Sequence, residues 1–228
     1  MKKSIASYID YTLLKAACTA ADIKKLCEEA VEYRFAAVCI PPYVVKDAVR
    51  YLCGQPVKTA TVIGFPMGYS SIESKKVESI QALDDGADEL DVVINLIALK
   101  NGEWGYLESE IRELVSVIHQ KGKVIKVIVE SGILTSDELI HCCNIYGKQA
   151  IDFMKTSTGY AEKGASLSDV TTMRQYLPPE VQIKASGGIR HYKFAEELIS
   201  AGATRLGCSS GIQILEEEKK SLSFEKTL

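Results

Sequence analysis

The chain has 228 residues, 46% hydrophobic and 25% charged, with a formal net charge of −3, an ordinary composition for a globular protein long enough to bury a substantial core. The charge excludes a generally basic surface, so nucleic acid is not expected as a partner, although a local phosphate pocket is still allowed. No apolar segment after Met1-Lys2-Lys3 is long enough for a signal peptide, and no run approaches the ~20 apolar residues of a membrane span, so no membrane partner is expected.

Short β-branched runs alternate with longer segments of helical periodicity. A strand is expected at 8–13, then a helix burying Ile23, Leu26, Cys27 and Ala30, then strands at 36–40 and 59–63. Ser70-Ser71-Ile72-Glu73 fits a capping box opening the next helix, which Gly86 should end. A strand at 89–94 precedes a helix with Ile111, Leu114, Val115 and Ile118 on one face, stopped near Gly122. After a strand at 124–129, Thr135-Ser136-Asp137-Glu138 opens another capped helix, with Gly147 at its expected left-handed end. Strands at 152–155, 182–184 and 204–206 complete a set of eight, with Gly202 closing the last intervening helix.

Strands alternating with helices imply a parallel sheet, because each crossover must carry a helix over the sheet face. Eight such units without a linker fit a single (β/α)8 TIM barrel over 1–228, one domain with a charged helical tail after about 215. An open doubly wound sheet would usually carry a glycine-rich dinucleotide loop after its first strand, and no GxGxxG occurs. The seven cysteines form no CxxC pair and read as free thiols of a reducing compartment, with cytoplasm as the expected location.

In a barrel the reacting groups come from the C-terminal ends of the strands and the loops that follow. Three strands carry an ionisable residue inside an otherwise apolar run: Asp91 in Leu90-Asp91-Val92-Val93, Lys155 at the end of Asp152-Phe153-Met154-Lys155, and Lys184 in Gln182-Ile183-Lys184. A lone strand-end lysine is more often solvated than reactive. Two lysines and an aspartate at one mouth form a chemical constellation. A second cation nearby and partial desolvation favour the neutral, nucleophilic amine. A carboxylate can move protons as a carbinolamine forms and breaks down. An imine is an electron sink, which carbon–carbon cleavage beside a carbonyl requires. The cluster lacks the histidine-rich set of a zinc aldolase, and neither metal nor cofactor is expected. Two polar, glycine-containing loops, Ser186-Gly187-Gly188-Ile189-Arg190 and Gly207-Cys208-Ser209-Ser210-Gly211, follow the last two strands, where barrels often cradle a phosphate.

The segments Ile9-Asp10-Tyr11-Thr12-Leu13-Leu14-Lys15, Val38-Cys39-Ile40-Pro41-Pro42, Ile63-Gly64-Phe65-Pro66-Met67-Gly68, Glu89-Leu90-Asp91-Val92-Val93-Ile94-Asn95, Lys155-Thr156-Ser157-Thr158-Gly159, Lys184-Ala185-Ser186-Gly187-Gly188-Ile189-Arg190 and Gly207-Cys208-Ser209-Ser210 together resemble the deoxyribose-phosphate aldolases, in order from about Ser7 to Gly211. The resemblance implies a class I aldolase that reversibly splits 2-deoxy-D-ribose 5-phosphate into acetaldehyde and D-glyceraldehyde 3-phosphate, in deoxyribonucleotide breakdown. It assigns the Schiff base to Lys155 and the proton relay to Asp91 and Lys184. It places Gly159, Gly187, Gly188, Gly207, Ser209 and Ser210 at the phosphate, and Asp10 and Cys39 in the pocket lining, with Asp10 expected to pair with a lysine. A phosphosugar is the implied partner and a homodimer the implied assembly. Three departures stand out. Tyr11 occupies a position commonly histidine, Ile97 replaces a customary glycine, and the sequence ends Phe224-Glu225-Lys226-Thr227-Leu228 without the terminal tyrosine of some members. The alternatives are a class I aldolase for another sugar phosphate and a non-catalytic barrel that only binds one.

Overall fold

The alternation of short strands and helices closes, in a computed structural model that describes residues 3–225, into one eight-stranded parallel barrel, a single (β/α)8 TIM barrel, ordered β1 to β8 around the ring. The strands are β1 (Ile9–Thr12), β2 (Ala37–Ile40), β3 (Lys58–Ile63), β4 (Glu89–Val93), β5 (Val124–Ile128), β6 (Phe153–Lys155), β7 (Gln182–Ser186) and β8 (Arg205–Cys208). The helices are α1 (Ala20–Glu32), α2 (Val45–Tyr51), α3 (Ile72–Asp84), the short α4 (Leu96–Lys100), α5 (Trp104–Gln120), α6 (Ser136–Tyr146), α7 (Leu167–Tyr176), α8 (Tyr192–Ser200) and α9 (Gly211–Glu225). All eight expected strands are present, with ends displaced by one or two residues, as fraying termini dictate.

Strand side chains alternate in direction, so each strand feeds two cores. One set, including Val38, Ile40, Leu90, Val92, Ile125, Val127, Met154 and Ile183, joins the large apolar layer between barrel and helices. A separate small cluster of Ala37, Cys39, Ala60 and Val62 comes from β2 and β3 alone. The charged residues of the other strands occupy the complementary positions.

Local signals behave as their chemistry requires, with two corrections. Thr135 and Glu138 form the expected reciprocal box, as do Thr19 and Asp22 at α1. At α3, however, the cap is Ser71, which accepts from the Ser74 amide; Glu73 lies one position too early to close a box with it. Gly86, Gly122 and Gly202 take left-handed φ values, but Gly147 is right-handed (φ −56°). The left-handed residue there is Ala150, and Gly147 is needed for a different reason: a Cβ on it would lie 2.6 Å from Pro178 Cδ. The charged segment after 215 continues α9, whose inner face buries Ile214 and Leu215. Glu218, on the same helix, accepts hydrogen bonds from Ser4 Oγ and the Ile5 amide. The departure at the end of the sequence, from Lys226 to Leu228, falls outside the described residues.

Candidate active site

Closure of the ring brings charged side chains from six strands into one buried network. Asp91 is its hub. Its Oδ2 accepts from Lys155 Nζ and Lys184 Nζ, each at 2.7 Å, and its Oδ1 from Lys126 Nζ at 2.7 Å. Lys184 also donates to Asp10 Oδ2 at 2.5 Å. Asp10 in turn pairs with Arg205, which forks onto both oxygens of Glu89, and Glu89 returns to Lys126 at 2.6 Å. The strand register sets these meetings: Lys155 lies opposite Lys184, and Asp91 opposite Lys126.

Three carboxylates (Asp10, Glu89, Asp91) thus face four cations (Lys126, Lys155, Lys184, Arg205) in an interior where unbalanced charge is costly. The network balances when one cation gives up its proton. Lys126 reaches three carboxylates, and Lys184 and Arg205 two each, whereas Lys155 touches Asp91 alone. Lys155 is accordingly the amine held below the ordinary lysine range. Burial is the main cause and the neighbouring Lys184 charge adds to it, against the pull of Asp91. Burial opposes the charges of Lys184 and Lys126 as well, but their paired carboxylates outweigh it and hold both above that range. Asp91 and Asp10 are driven well below the carboxylate range by the surrounding cations, in spite of burial.

Lys155 also opens onto a cavity of about 430 Å³ at the C-terminal ends of the strands. Gly159, Gly187, Gly188, Gly207 and Ser209 line it, together with Thr12, Lys15, Tyr160 and Arg190. Gly207 is dictated by packing: a Cβ there would sit 3.1 Å from Lys184 Cε and 2.9 Å from Ser186 Cβ, so a side chain would push Lys184 off its two carboxylates. The polar loops meet where α9 begins, so amides and a helix N-terminus converge on one end of the cavity. Among the described residues no group of three or more His, Cys, Asp or Glu is arranged to hold a metal ion.

The structure gathers the sequence-predicted residues unevenly. Asp91, Lys155 and Lys184 meet directly, and Asp10 takes its lysine, Lys184. Asp10 and Cys39 are fully buried beside Asp91, with the Cys39 thiol 3.9 Å from Oδ2, and neither lines the cavity itself. Ser210 is likewise absent from the lining; its carbonyl accepts from the Ile214 amide at the start of α9. Tyr11 points outward, its hydroxyl on Glu29 and its ring 5.0 Å from Phe35. Ile97 is half-exposed on α4, in a second cavity with Met67, Tyr69 and Ile133. Sequence reasoning missed Lys126, Glu89 and Arg205. The signal for Lys126 was present, a lysine inside the apolar run Val124–Ile128, as telling as the aspartate inside β4.

The carboxylates make stability depend on acid in a definite direction. Asp10 and Asp91 titrate lower in the folded than in the unfolded chain. Their stabilisation is therefore complete above the unfolded value of about 3.9 and is lost as pH falls below it towards the folded values. Urea titrations at pH 7, 5 and 3.5 should show little change between the first two and a clear drop at the third. Equal stability at all three would contradict the network.

Comparison with known proteins agrees with this geometry. Residues 4–217 match the family described as DeoC/LacD family aldolase. A deoxyribose-phosphate aldolase of Caldicellulosiruptor saccharolyticus is 48% identical over 218 residues, covering 95% of this chain and 99% of its own. Another, from Thermococcus gammatolerans, is 50% identical over 214 residues, covering 93% and 95%. The crystallised deoxyribose phosphate aldolase of Aeropyrum pernix, which is tetrameric, superposes with a TM-score of 0.87 at 33% identity over 94% of this chain and 91% of its own. A buried lysine–aspartate–lysine hub under a glycine-lined cavity, in a barrel matched over nearly its whole length, places this chain in the DeoC/LacD family of aldolases.

Proposed function

We propose that this chain is a class I aldolase that reversibly cleaves 2-deoxy-D-ribose 5-phosphate to acetaldehyde and D-glyceraldehyde 3-phosphate, in deoxyribonucleotide breakdown. One observation carries the reading: the single under-paired amine of the network, Lys155, is also the one that opens into the cavity.

The neutral Lys155 nitrogen adds to the aldehyde carbon C1 of the open-chain sugar. Lys184, through the Asp91 hub, supplies the proton with which the carbinolamine oxygen leaves as water. The resulting iminium draws electrons. As the C3 hydroxyl loses its proton, the C2–C3 bond breaks and its electron pair moves to C2, giving an enamine and releasing D-glyceraldehyde 3-phosphate. Protonation at C2 and hydrolysis of the imine free acetaldehyde and restore Lys155. Gly159, Gly187, Gly188 and Gly207, with Ser209, hold the phosphate through amides and hydroxyls, and Ser210, behind the lining, supports them from the start of α9. Asp10 and Cys39 shape the site from below, Asp10 by keeping Lys184 charged.

We read the chain as one (β/α)8 aldolase domain over 1–228, cytoplasmic, and a homodimer. Exposed Tyr43, in the turn before α2, and Val77 and Ile80 on α3 support self-association there. Borohydride added with acetaldehyde should leave one reduced ethyl group, mapped by mass spectrometry to Lys155. No adduct, or an adduct on another lysine, would defeat the reading. Turnover of a ketose phosphate in preference to deoxyribose phosphate would point to the other aldolase, and binding without turnover to a non-catalytic barrel.

A further inference from the structure

Glu130 differs from the other carboxylates buried near the mouth. It follows β5, is 2% exposed and takes a left-handed backbone (φ 54°, ψ 57°), a conformation in which a side chain with a Cβ is strained. It is held by Thr158 rather than by an ion pair: the Thr158 amide donates to its two oxygens at 3.3 and 3.2 Å, and the Thr158 hydroxyl donates to Oε2. The chain of bonds continues. Thr158 Oγ1 accepts from the Tyr160 amide at 3.1 Å, and Tyr160 Oη donates to the Leu14 carbonyl at 2.6 Å, on the loop after β1. Phe65 stacks edge-on against the Tyr160 ring at 5.4 Å.

These bonds make residues 158–160 a strap across the barrel mouth, tied to the loop after β5 at one end and to the loop after β1 at the other. Thr158, Gly159 and Tyr160 all line the cavity that holds Lys155, whereas Glu130 lines only the neighbouring cavity behind Thr158. Gly159, in the middle, is left-handed (φ 89°) with nothing within 4 Å of the position a Cβ would take. On that side the centre of the strap faces open space, its other side lying near Gly187, whose Cβ position would be 3.6 Å from the Gly159 Cα, so its place depends on its tied ends and on that one backbone approach.

We propose that Glu130 is a positioning residue for the phosphate end of the substrate: by anchoring the 158–160 strap it sets how strongly the site favours a phosphorylated over an unphosphorylated sugar. The inference rests on the reading under Proposed function. Glu130 makes no hydrogen bond to Lys155, Asp91 or Lys184 and meets Lys155 only through a longer-range charge interaction, the smallest of the influences acting on Glu130, so the imine chemistry rests on those three residues.

Glu130→Gly separates this role from a merely structural one, because glycine relieves the left-handed strain while removing the carboxylate. The expected result is a retained melting temperature, a KM for 2-deoxyribose 5-phosphate raised about tenfold or more, a kcat within about threefold of the parent, and unchanged kcat/KM for unphosphorylated 2-deoxyribose. Glu130→Gln, which keeps an acceptor oxygen for Thr158, should recover part of the lost affinity. A direct titration with inorganic phosphate provides an arm that needs no turnover, and its Kd should rise in parallel. An unchanged phosphate Kd overturns the inference even if the parent cleaves nothing, in which case the proposed function fails separately. Equal losses on both sugars also overturn it, since Glu130 would then act on the reacting centre. Should Glu130→Gly not fold, Tyr160→Phe removes only the exposed tie to Leu14 and should raise the same KM about threefold; no change in KM counts against the strap.

Discussion

Lys155→Met is expected to lower kcat/KM for 2-deoxyribose 5-phosphate by on the order of 10⁴-fold or more, the scale on which deleting a covalent nucleophile acts, while leaving the barrel no less stable than the parent. The two halves of this result have one cause. Lys155 is the fourth amine against three carboxylates and the one held towards its neutral form, so its removal takes away the cost of keeping it deprotonated and leaves three cations against three carboxylates. Asp91 is not abandoned, because Lys126 and Lys184 remain at 2.7 Å. Replacing the neutral amine by an apolar side chain of similar length strands no charge, so the cost of about 3–5 kcal/mol that follows breaking a buried ion pair is not incurred. Parallel progress curves and urea melts check both halves. Activity within about tenfold of the parent would remove Lys155 from the imine role, and a loss above about 3 kcal/mol would show that Asp91 depends on it for compensation.

The second large effect distinguishes the remaining lysines by pH. In Lys126→Met, Asp91 and Glu89 each lose a cation, and the network rebalances if Lys155 keeps its proton. Lys155 then titrates higher, by about 1–3 pH units, the range over which a neighbouring charge moves a buried group. The enzyme should be slowed at pH 7 by about 10–1,000-fold and recover towards the parent rate as the pH is raised. Lys184→Leu also raises the Lys155 pKa, since it deletes the repelling charge and frees Asp91 and Asp10 to attract the amine. It deletes the proposed proton relay too, so its loss should persist at high pH. Full pH–rate profiles of the pair test this. Alkaline rescue of both would leave Lys184 an electrostatic role only, and rescue of neither would undo the charge-balance account of Lys155 activation.

Three of the network's groups, Asp91, Lys155 and Lys184, were legible because each is an ionisable residue within an otherwise apolar strand, Asp91 and Lys184 at the middle of β4 and β7 and Lys155 at the end of β6. Lys126 interrupts β5 in the same way, so its signal lay equally within the sequence. Glu89 and Arg205 sit at the first residues of β4 and β8, where a charge is ordinarily solvated, and only closure of the ring buries them against each other. Asp10 and Cys39 entered through resemblance, and their burial beside Asp91 follows from strand register. Ile97 and Tyr11, the two departures inside the barrel, prove to lie away from the lumen, one on a half-exposed turn and one against α1.

By itself the sequence determined the periodic pattern, and hence eight strand–helix units and a closed parallel barrel, because alternation and helical spacing are local properties of the chain. It also determined which glycine-rich loops could approach an anion. The resemblance singled out Lys155, but only the tertiary structure supplies a physical reason why that lysine suits the proposed imine role. That reason depends on how many carboxylates each amine reaches across the lumen, a count made between strands far apart in the chain, and Lys155 is the one left with a single partner at the open end.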